Sequence, residues 1–117
     1  MIYDLFQFSH ELDLLEIRFS MLENVIDKFI ICESQNSHSN KSKELYFLDN
    51  FSRFDRWKNK IIYRSANFSH SNSFYNDWEF RNLLFSMVPN NSSNNTIHHS
   101  DLDEIPNPTI LKEESKN

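Results

Sequence analysis

Glycine is absent from this chain of 117 residues, and cysteine occurs once. Without glycine, neither a P-loop nor a glycine-rich dinucleotide-binding loop can form. Any bound phosphate must therefore be held by side chains, by a metal ion or by a helix N-terminus. The single cysteine, Cys32, excludes an internal disulfide and a cysteine-built zinc site. Its place in the apolar run from Phe29 to Cys32 predicts a small core residue.

Long apolar runs and basic runs are also missing. The run from Phe29 to Cys32 is the longest and falls far short of the roughly 20 residues that a membrane-spanning helix needs. Met1 leads directly into a predicted strand, with no signal peptide before it. The net charge is −5 without a cluster of lysine or arginine, which argues against nucleic acid or an anionic membrane as partner. The sequence predicts a cytoplasmic chain without a membrane segment.

Aromatic residues are plentiful, at 15 % of the chain with eleven phenylalanines, so a core can form in a single domain of this length. Strand and helix signals alternate as β-α-β-α-β-α-β, which predicts an α/β fold with a parallel sheet and right-handed crossovers. The predicted strands are Met1–Phe6, Val25–Glu33, Ile61–Arg64 and Thr96–Ser100. The predicted helices are Glu11–Glu23, a short one capped by Asp49 that carries Phe51, Phe54 and Trp57, and one over Phe80–Met87 ended by Pro89. The predicted loops are Asn36–Lys43, Ser65–Ser73 and Asn90–Asn95.

The segment Ser100–Pro108 is the most informative part of the chain. Asp101 and Asp103 stand two apart with Glu104 beside them, after a predicted strand and before two prolines. Because side chains alternate along a strand, both aspartates share one face if the strand extends that far. Their oxygens suit a hard cation, Mg²⁺ or Mn²⁺, that leaves positions open for phosphate. The sequence predicts an acidic shelf at the carboxyl end of a strand, where open α/β sheets bind ligands.

Other interpretations of this segment stay open. Asp-x-Asp also occurs in solvated loops without function. The Asp-x-Asp of haloacid-dehalogenase-like phosphatases is a weaker match, because that motif lies near the N-terminus and continues with Thr or Val, whereas Glu104 follows here. His98 and His99 precede the acids, but on a strand they face opposite ways, so at most one of them could join a metal site.

Several motifs together resemble the β-1,4-mannosyl-glycoprotein 4-β-N-acetylglucosaminyltransferase family, glycosyltransferase family 17. The resemblance runs in the same order from end to end of the chain. Its motifs are Met1–Phe8, Glu11–Arg18, Val25–Phe29, Glu33–Ser34, Lys60–Ile62, Trp78–Glu79, Arg81–Asn82 and Ser100–Pro108. The resemblance implies a GT-A-like, Rossmann-like fold and an inverting, metal-dependent transfer of N-acetylglucosamine from UDP-N-acetylglucosamine to β-linked mannose of N-glycans.

The resemblance also implies roles for particular residues. Asp101 and Asp103 would approach the metal and the donor diphosphate or ribose, with Glu104 as a further metal ligand. Glu33 would meet a ribose or base at the end of the second strand. The remaining donor-binding residues implied are Phe6, Phe8 and Arg81. No catalytic base is assigned.

Each of these roles has a structural alternative. Phe6 and Phe8, at the end of the first strand, are more often core aromatics than ligand contacts. Glu33 is equally explained as a solvated strand end. Arg81 is more often a surface residue of a helix, although its guanidinium suits phosphate oxygens.

The chain departs from the family pattern at its fourth strand and at its end. Thr96–Ser100 carries two histidines where the family has aliphatic residues, and a polar tail, Lys112–Asn117, follows soon after the acidic segment. We therefore expect residues 1–117 to form a single partial domain, truncated after its fourth strand, with the acceptor site and general base in a missing half. The alternative function is a non-catalytic remnant or partner chain that binds metal and nucleotide at most. An uncovered sheet edge predicts self-association, and eukaryotic relatives are expected in the Golgi membrane.

Overall fold

The computed structural model describes residues 1–35, 44–67, 73–89 and 94–116, which form one sheet flanked by helices. The strands are β1 (Ile2–Phe8), β2 (Lys28–Ser34), β3 (Ile61–Ala66) and β4 (Thr96–His99). The α-helices are α1 (Leu12–Leu22), α2 (Tyr46–Asp49), α3 (Ser73–Ser86) and α4 (Pro108–Glu114), and a 3-10-helical segment covers Phe51–Lys60.

The strands form a four-stranded sheet in the order β3-β2-β1-β4, and every neighbouring pair is parallel. This confirms the predicted α/β class with a parallel sheet. Leu5 in β1 lies between Ile30 of β2 and His99 of β4. Since all strands run the same way, their carboxyl ends meet at one edge of the sheet, which is where such folds bind ligands.

The two faces of β1 belong to two separate clusters of the core. Phe6 and Phe8 face the cluster built with α1, the 3-10 segment and α4, and Asp4 shares that face because it bonds to α1. Tyr3 and Leu5 face the second cluster, beneath α3. The alternation follows directly from the period of two along a strand.

Helix α1 carries the predicted apolar stripe. Leu15, Phe19 and Leu22 are buried, and Arg18 is buried among them. The Phe19 ring lies 4.7 Å from that of Phe29 and 5.2 Å from that of Trp57, centroid to centroid, so the stripe packs on β2 and the 3-10 segment. The predicted helix Glu11–Glu23 is confirmed apart from one residue at each end.

Several predicted boundaries are wrong. β2 begins at Lys28 rather than Val25, because the amides of Val25 and Ile26 still bond to the Leu22 carbonyl at the end of α1. Asp49 does not cap the following segment: it is the last residue of α2, and the 3-10 segment begins without a side-chain cap. β1 and β3 each run two residues further than predicted, to Phe8 and Ala66.

The later elements also differ in extent. α3 begins at Ser73, well before the predicted start at Phe80, and β4 ends at His99. The predicted loop Asn36–Lys43 lies outside the described residues, as do positions 68–72 and 90–93 of the other two loops.

The C-terminal segment is a helix rather than the predicted polar tail. α4 starts at Pro108, with the Asn107 side chain accepting hydrogen bonds from the amides of Thr109 (2.9 Å) and Ile110 (3.2 Å). Leu111 is buried in the core cluster beneath α1. Leu111 therefore joins α4 to the same side of the sheet as α1.

Two further expectations concern single features. Cys32 is buried as predicted, and burial raises the pKa of its thiol to about 12. No helix in the described part of the chain combines the length and apolar content needed to cross a membrane.

Candidate functional site

The acidic segment forms a turn and not a strand extension. The Glu104 amide donates to the Asp101 carbonyl at 2.9 Å, and the Glu104 carboxylate accepts from the Asp101 amide at 3.0 Å. Ser100 Oγ donates to the Glu104 carbonyl at 2.9 Å. The shared strand face was predicted for Asp101 and Asp103 on the condition that the strand extends to them. That condition is not met, because β4 ends at His99 and residues 101–104 close on themselves. We call residues 101–104 the acidic turn.

The acidic turn is held from below by a buried arginine. Arg18 Nη1 donates to the carbonyls of Asp101 (2.7 Å) and Leu102 (3.1 Å), and its Nη2 donates to Ser100 Oγ (2.8 Å). Nε and Nη2 also bond to the two carboxylate oxygens of buried Asp4, at 2.8 and 2.7 Å. The Leu102 side chain is buried in the core, whereas the side chains of Asp101 and Asp103 are exposed.

An open groove of about 520 Å³ lies between α3 and the carboxyl ends of β1 and β4. The acidic turn forms one wall through Asp101, and α3 forms the other through Arg81 and Trp78. The residues lining the groove are Gln7, Asp77, Trp78, Phe80, Arg81, Leu84, His99, Ser100 and Asp101. Two of the predicted donor-binding residues, Asp101 and Arg81, are thus brought to one cavity.

His99 gives the groove a neutral imidazole at neutral pH. Burial lowers the pKa of its ring, and the cation of Arg81 pushes the pKa in the same direction, whereas the Asp101 carboxylate opposes them. The neighbouring His98 points the other way, with its Nε2 3.1 Å from Ser100 Oγ. The expectation that the two rings face opposite sides of the strand therefore holds.

Phe6 and Phe8 do not line the groove. Both are buried in the core cluster beneath α1, and the Phe6 ring lies under the Arg18 guanidinium with 4.5 Å between the Cζ atom and the ring centroid. The Phe8 ring meets Phe47 edge to face at 6.5 Å. Their contacts are those of core aromatics, and a role next to a nucleotide stays a prediction.

Glu33 is a buried structural carboxylate at the end of β2. Its oxygens accept from the amides of Tyr46 (2.8 Å) and Phe47 (3.2 Å) at the start of α2, and from the Tyr63 hydroxyl (2.8 Å). The side chain is 0 % exposed. Burial and this hydrogen bond raise the pKa of Tyr63. The solvated strand end considered as an alternative is therefore wrong, and contact with a ribose stays a prediction.

A family model described as Glycosyltransferase family 17 matches residues 1–113 of the 117. The chain belongs to glycosyltransferase family 17. No curated protein and no solved structure gives a significant match. Membership makes this a glycosyltransferase-like chain, and the parallel sheet with flanking helices agrees with a Rossmann-like transferase domain. Glycosyltransferases move a sugar from a donor to an acceptor, so membership of this family implies a substrate of each type.

The carboxylates of this family 17 chain do not form a closed metal site. Among residues 1–35, 44–67, 73–89 and 94–116 no group of three or more His, Cys, Asp or Glu side chains is arranged to hold an ion. Glu104 is turned back to the Asp101 amide. The exposed oxygens of Asp101 and Asp103 have the hard-ligand chemistry of Mg²⁺ and Mn²⁺. They fit only an ion that takes its other ligands from water and substrate phosphate.

Sequence reasoning missed Arg18 and most of the groove. Arg18 had a visible signal: it lies on the apolar stripe of α1, between Leu15 and Leu22, and a charged residue on a buried stripe needs a buried partner. Asp4, on the same strand face as Phe6, was the matching signal. Gln7 and Asp77 carried none, because only the packing of α3 on the sheet brings them together.

Proposed function

We propose that the groove binds the nucleotide-diphosphate part of a sugar donor, with UDP-N-acetylglucosamine as the donor and β-linked mannose of an N-glycan as the acceptor. The transfer would invert the anomeric carbon. One observation carries the proposal: in a family 17 chain, Asp101 and Arg81 line the same groove at the carboxyl ends of parallel strands.

In this proposal α3 and the acidic turn bind different parts of the donor. Arg81 supplies a guanidinium whose fork matches phosphate oxygens. Asp101 and Asp103 would hold Mn²⁺ or Mg²⁺ jointly with the diphosphate, and a bound ion supplies charge neutralisation on the departing UDP. Trp78 is 55 % exposed on α3 and offers a flat face on which a base can stack.

The other residues predicted to bind the donor or the metal do not line the groove. Phe6, Phe8 and Glu33 are buried, so their contacts support the sheet and α2, and a direct contact with the nucleotide stays a prediction for them. Glu104 acts through the acidic turn, because its carboxylate closes that turn on the Asp101 amide. The residues that meet the donor are then Arg81, Asp101 and Trp78.

Calorimetric titration of UDP in the presence of Mn²⁺ tests the donor site. We expect saturable binding to the wild-type chain that needs Mn²⁺, and a loss of affinity of about tenfold or more in Arg81→Gln and in Asp101→Asn, since each removes a charged contact. Asp55→Asn is the matched control, because Asp55 is exposed outside the groove in the 3-10 segment. A folded wild-type chain that binds no UDP, or variants that bind as the wild type does, would overturn the proposal.

A transfer assay separates the enzyme from the alternative of a non-catalytic nucleotide-binding chain. UDP-N-acetylglucosamine and a mannose-terminated glycan are incubated with the chain, and the product is read by mass spectrometry. Transfer abolished in Asp101→Asn identifies the enzyme. Manganese-dependent UDP binding without transfer identifies the non-catalytic chain, which then serves as a partner or remnant.

A further inference from the structure

The guanidinium of Arg18 is completely enclosed and completely used. An arginine side chain has five N–H donors. Arg18 makes five hydrogen bonds, to Asp4 Oδ1 and Oδ2, to Ser100 Oγ and to the carbonyls of Asp101 and Leu102. Its side chain is 0 % exposed, as is that of Asp4, and the Phe6 ring covers one face of the group.

The five bonds connect two parts of the molecule that are distant in sequence. Asp4 lies in the middle of β1, directly beside β4, and its carboxylate fixes the guanidinium in a two-pronged pair. The other three bonds all go to residues 100–102, where β4 has ended and the acidic turn begins. The arginine therefore ties the centre of the sheet to the loop that carries Asp101 and Asp103.

Fold stability alone is a weak explanation for such a group. The cost of removing both charges from water offsets much of their attraction, and well-packed apolar residues often replace a buried ion pair at no loss. An apolar residue, however, would leave the inward-facing carbonyls of Asp101 and Leu102 without their donor. What the arginine alone supplies is a defined orientation of the turn backbone.

We propose that Arg18, aligned by Asp4, is a positioning residue for the acidic turn. It draws the carbonyls of Asp101 and Leu102 inward and so holds the Asp101 carboxylate outward at the wall of the groove and the Asp103 carboxylate in solvent. Arg18 itself touches no ligand, because every donor is already engaged. The effect on a ligand rests on the proposed function, whereas the effect on the turn does not.

The first experiment measures the turn without any ligand. Amide hydrogen exchange is followed by NMR at Asp101 and Glu104, whose N–H groups close the turn, and at Ile30 in the centre of the sheet. In Arg18→Lys we expect exchange at the turn amides to rise about tenfold, because an ammonium is a point charge that cannot reproduce the planar fork. Ile30 keeps its protection. Arg53→Lys, at an exposed ion pair with Asp13 and Glu16, is the matched control and leaves the turn unchanged.

A second variant covers the case in which Arg18→Lys fails to fold. Ser100 is only half-buried, and Ser100→Ala removes one of the three bonds between Arg18 and residues 100–102 together with the bond from Ser100 Oγ to the Glu104 carbonyl. The signal of Arg18 Nε–H is therefore the measurement that decides the role of the arginine in this variant. We expect faster exchange both at the turn amides and at Arg18 Nε–H, with Ser100→Thr restoring both because it keeps the hydroxyl. An unchanged Arg18 Nε–H signal in Ser100→Ala, or an unchanged turn in a folded Arg18→Lys, would overturn the proposal.

A third experiment measures the effect on ligand binding, by calorimetric titration of UDP in the presence of Mn²⁺. Arg18→Lys should bind about tenfold more weakly although Arg18 lies outside the groove, and Arg53→Lys should bind as the wild type does. If the wild-type chain binds no UDP, the proposed function fails while the exchange experiment still decides the positioning role. If the turn loosens and binding is unchanged, positioning for the ligand is refuted.

Discussion

Among the described residues, the fully buried charged side chains are those of Asp4, Arg18 and Glu33, and each has hydrogen-bonded partners. Throughout the described residues no buried side-chain nitrogen or oxygen lacks a hydrogen bond. Such groups are costly to remove singly, because the partner left behind stays buried without compensation. For Glu33, whose bonds all lie within the fold, a substitution should therefore act on stability, which separates a structural role from a ligand-binding one at the scale of a single residue.

Glu33→Gln should destabilise the fold by about 1–3 kcal/mol, because an amide group replaces one carboxylate oxygen and faces the donors at Tyr46, Phe47 or Tyr63. Urea unfolding measures the change. Glu16→Gln, at a half-exposed ion pair with Arg53, is the control and should change stability by less than about 1 kcal/mol. Unaltered unfolding of Glu33→Gln together with lost UDP binding would instead assign Glu33 to the ligand.

Arg81→Gln should raise the pKa of His99 towards the ordinary value of 6.5, because it removes a cation that disfavours the imidazolium. The pKa stays below that value, since burial is the larger cause. NMR titration of the ring measures it, and Arg56→Gln, outside the groove, should leave it unchanged. If the pKa of His99 is the same in Arg81→Gln as in the wild type, α3 and β4 do not meet as described.

The sign of the linked pH dependence follows from the same shift. Because the folded state holds His99 at a lowered pKa, the unfolded chain binds this proton more readily in the interval between the lowered value and 6.5. The contribution of His99 to stability is fully present above 6.5 and is lost as pH falls through that interval. His99→Asn should remove this part of the pH dependence.

At the scale of elements, α4 is the clearest addition to what the sequence predicted. Its N-terminal signal was present, as an asparagine at the N-cap followed by proline at the first helical position. The polar composition of the tail concealed it, because Leu111 alone is deeply buried in this helix. A seven-residue helix depends on that packing more than on its own propensity.

Asn107→Ala should lower the free energy of unfolding by about 1 kcal/mol, since the amides of Thr109 and Ile110 lose their acceptor. Thermal or urea unfolding is the measurement. Asn59→Ala is a suitable control, because Asn59 accepts a hydrogen bond from Lys28 Nζ through its backbone carbonyl, which the substitution keeps. If both variants unfold alike, α4 contributes nothing to the cooperative fold.

The elements were predictable to the extent that local pattern decides them. The apolar stripe of Leu15, Phe19 and Leu22 predicted α1, and the apolar run of β2 predicted a buried strand. The order of helices and strands predicted the parallel topology. The acidic turn was not predictable as a turn, because its geometry depends on Arg18, more than eighty residues earlier in the chain. The ends of β1 and β3 were missed for a similar reason, because pairing with β2 extends them to Phe8 and Ala66.

At the scale of the whole molecule, the sheet has a protected centre and two exposed margins. β1 and β2 are almost entirely buried, whereas β3 and β4 are only partly buried along their lengths. We expect amide hydrogen exchange to be slowest in β1 and β2 and faster in β3 and β4, in accord with sub-global opening from the edges. Equal protection across all strands would show that the sheet opens only as one unit.

The margin at β4 also bears on association. In the described residues β4 pairs with β1 alone, and Ile97 is partly exposed beside that margin. Self-association through this edge stays a prediction, and sedimentation velocity across a range of concentrations measures it.

The two tryptophans turn this architecture into a pair of optical reporters. Trp57 is 5 % exposed inside the core, and Trp78 is 55 % exposed at the groove. Removing the first with Trp57→Phe leaves one indole whose emission responds to whatever enters the groove, through quenching or a spectral shift. Removing the second with Trp78→Phe leaves one indole that responds to unfolding alone. Occupancy and integrity of the same molecule can thus be followed as separate fluorescence signals.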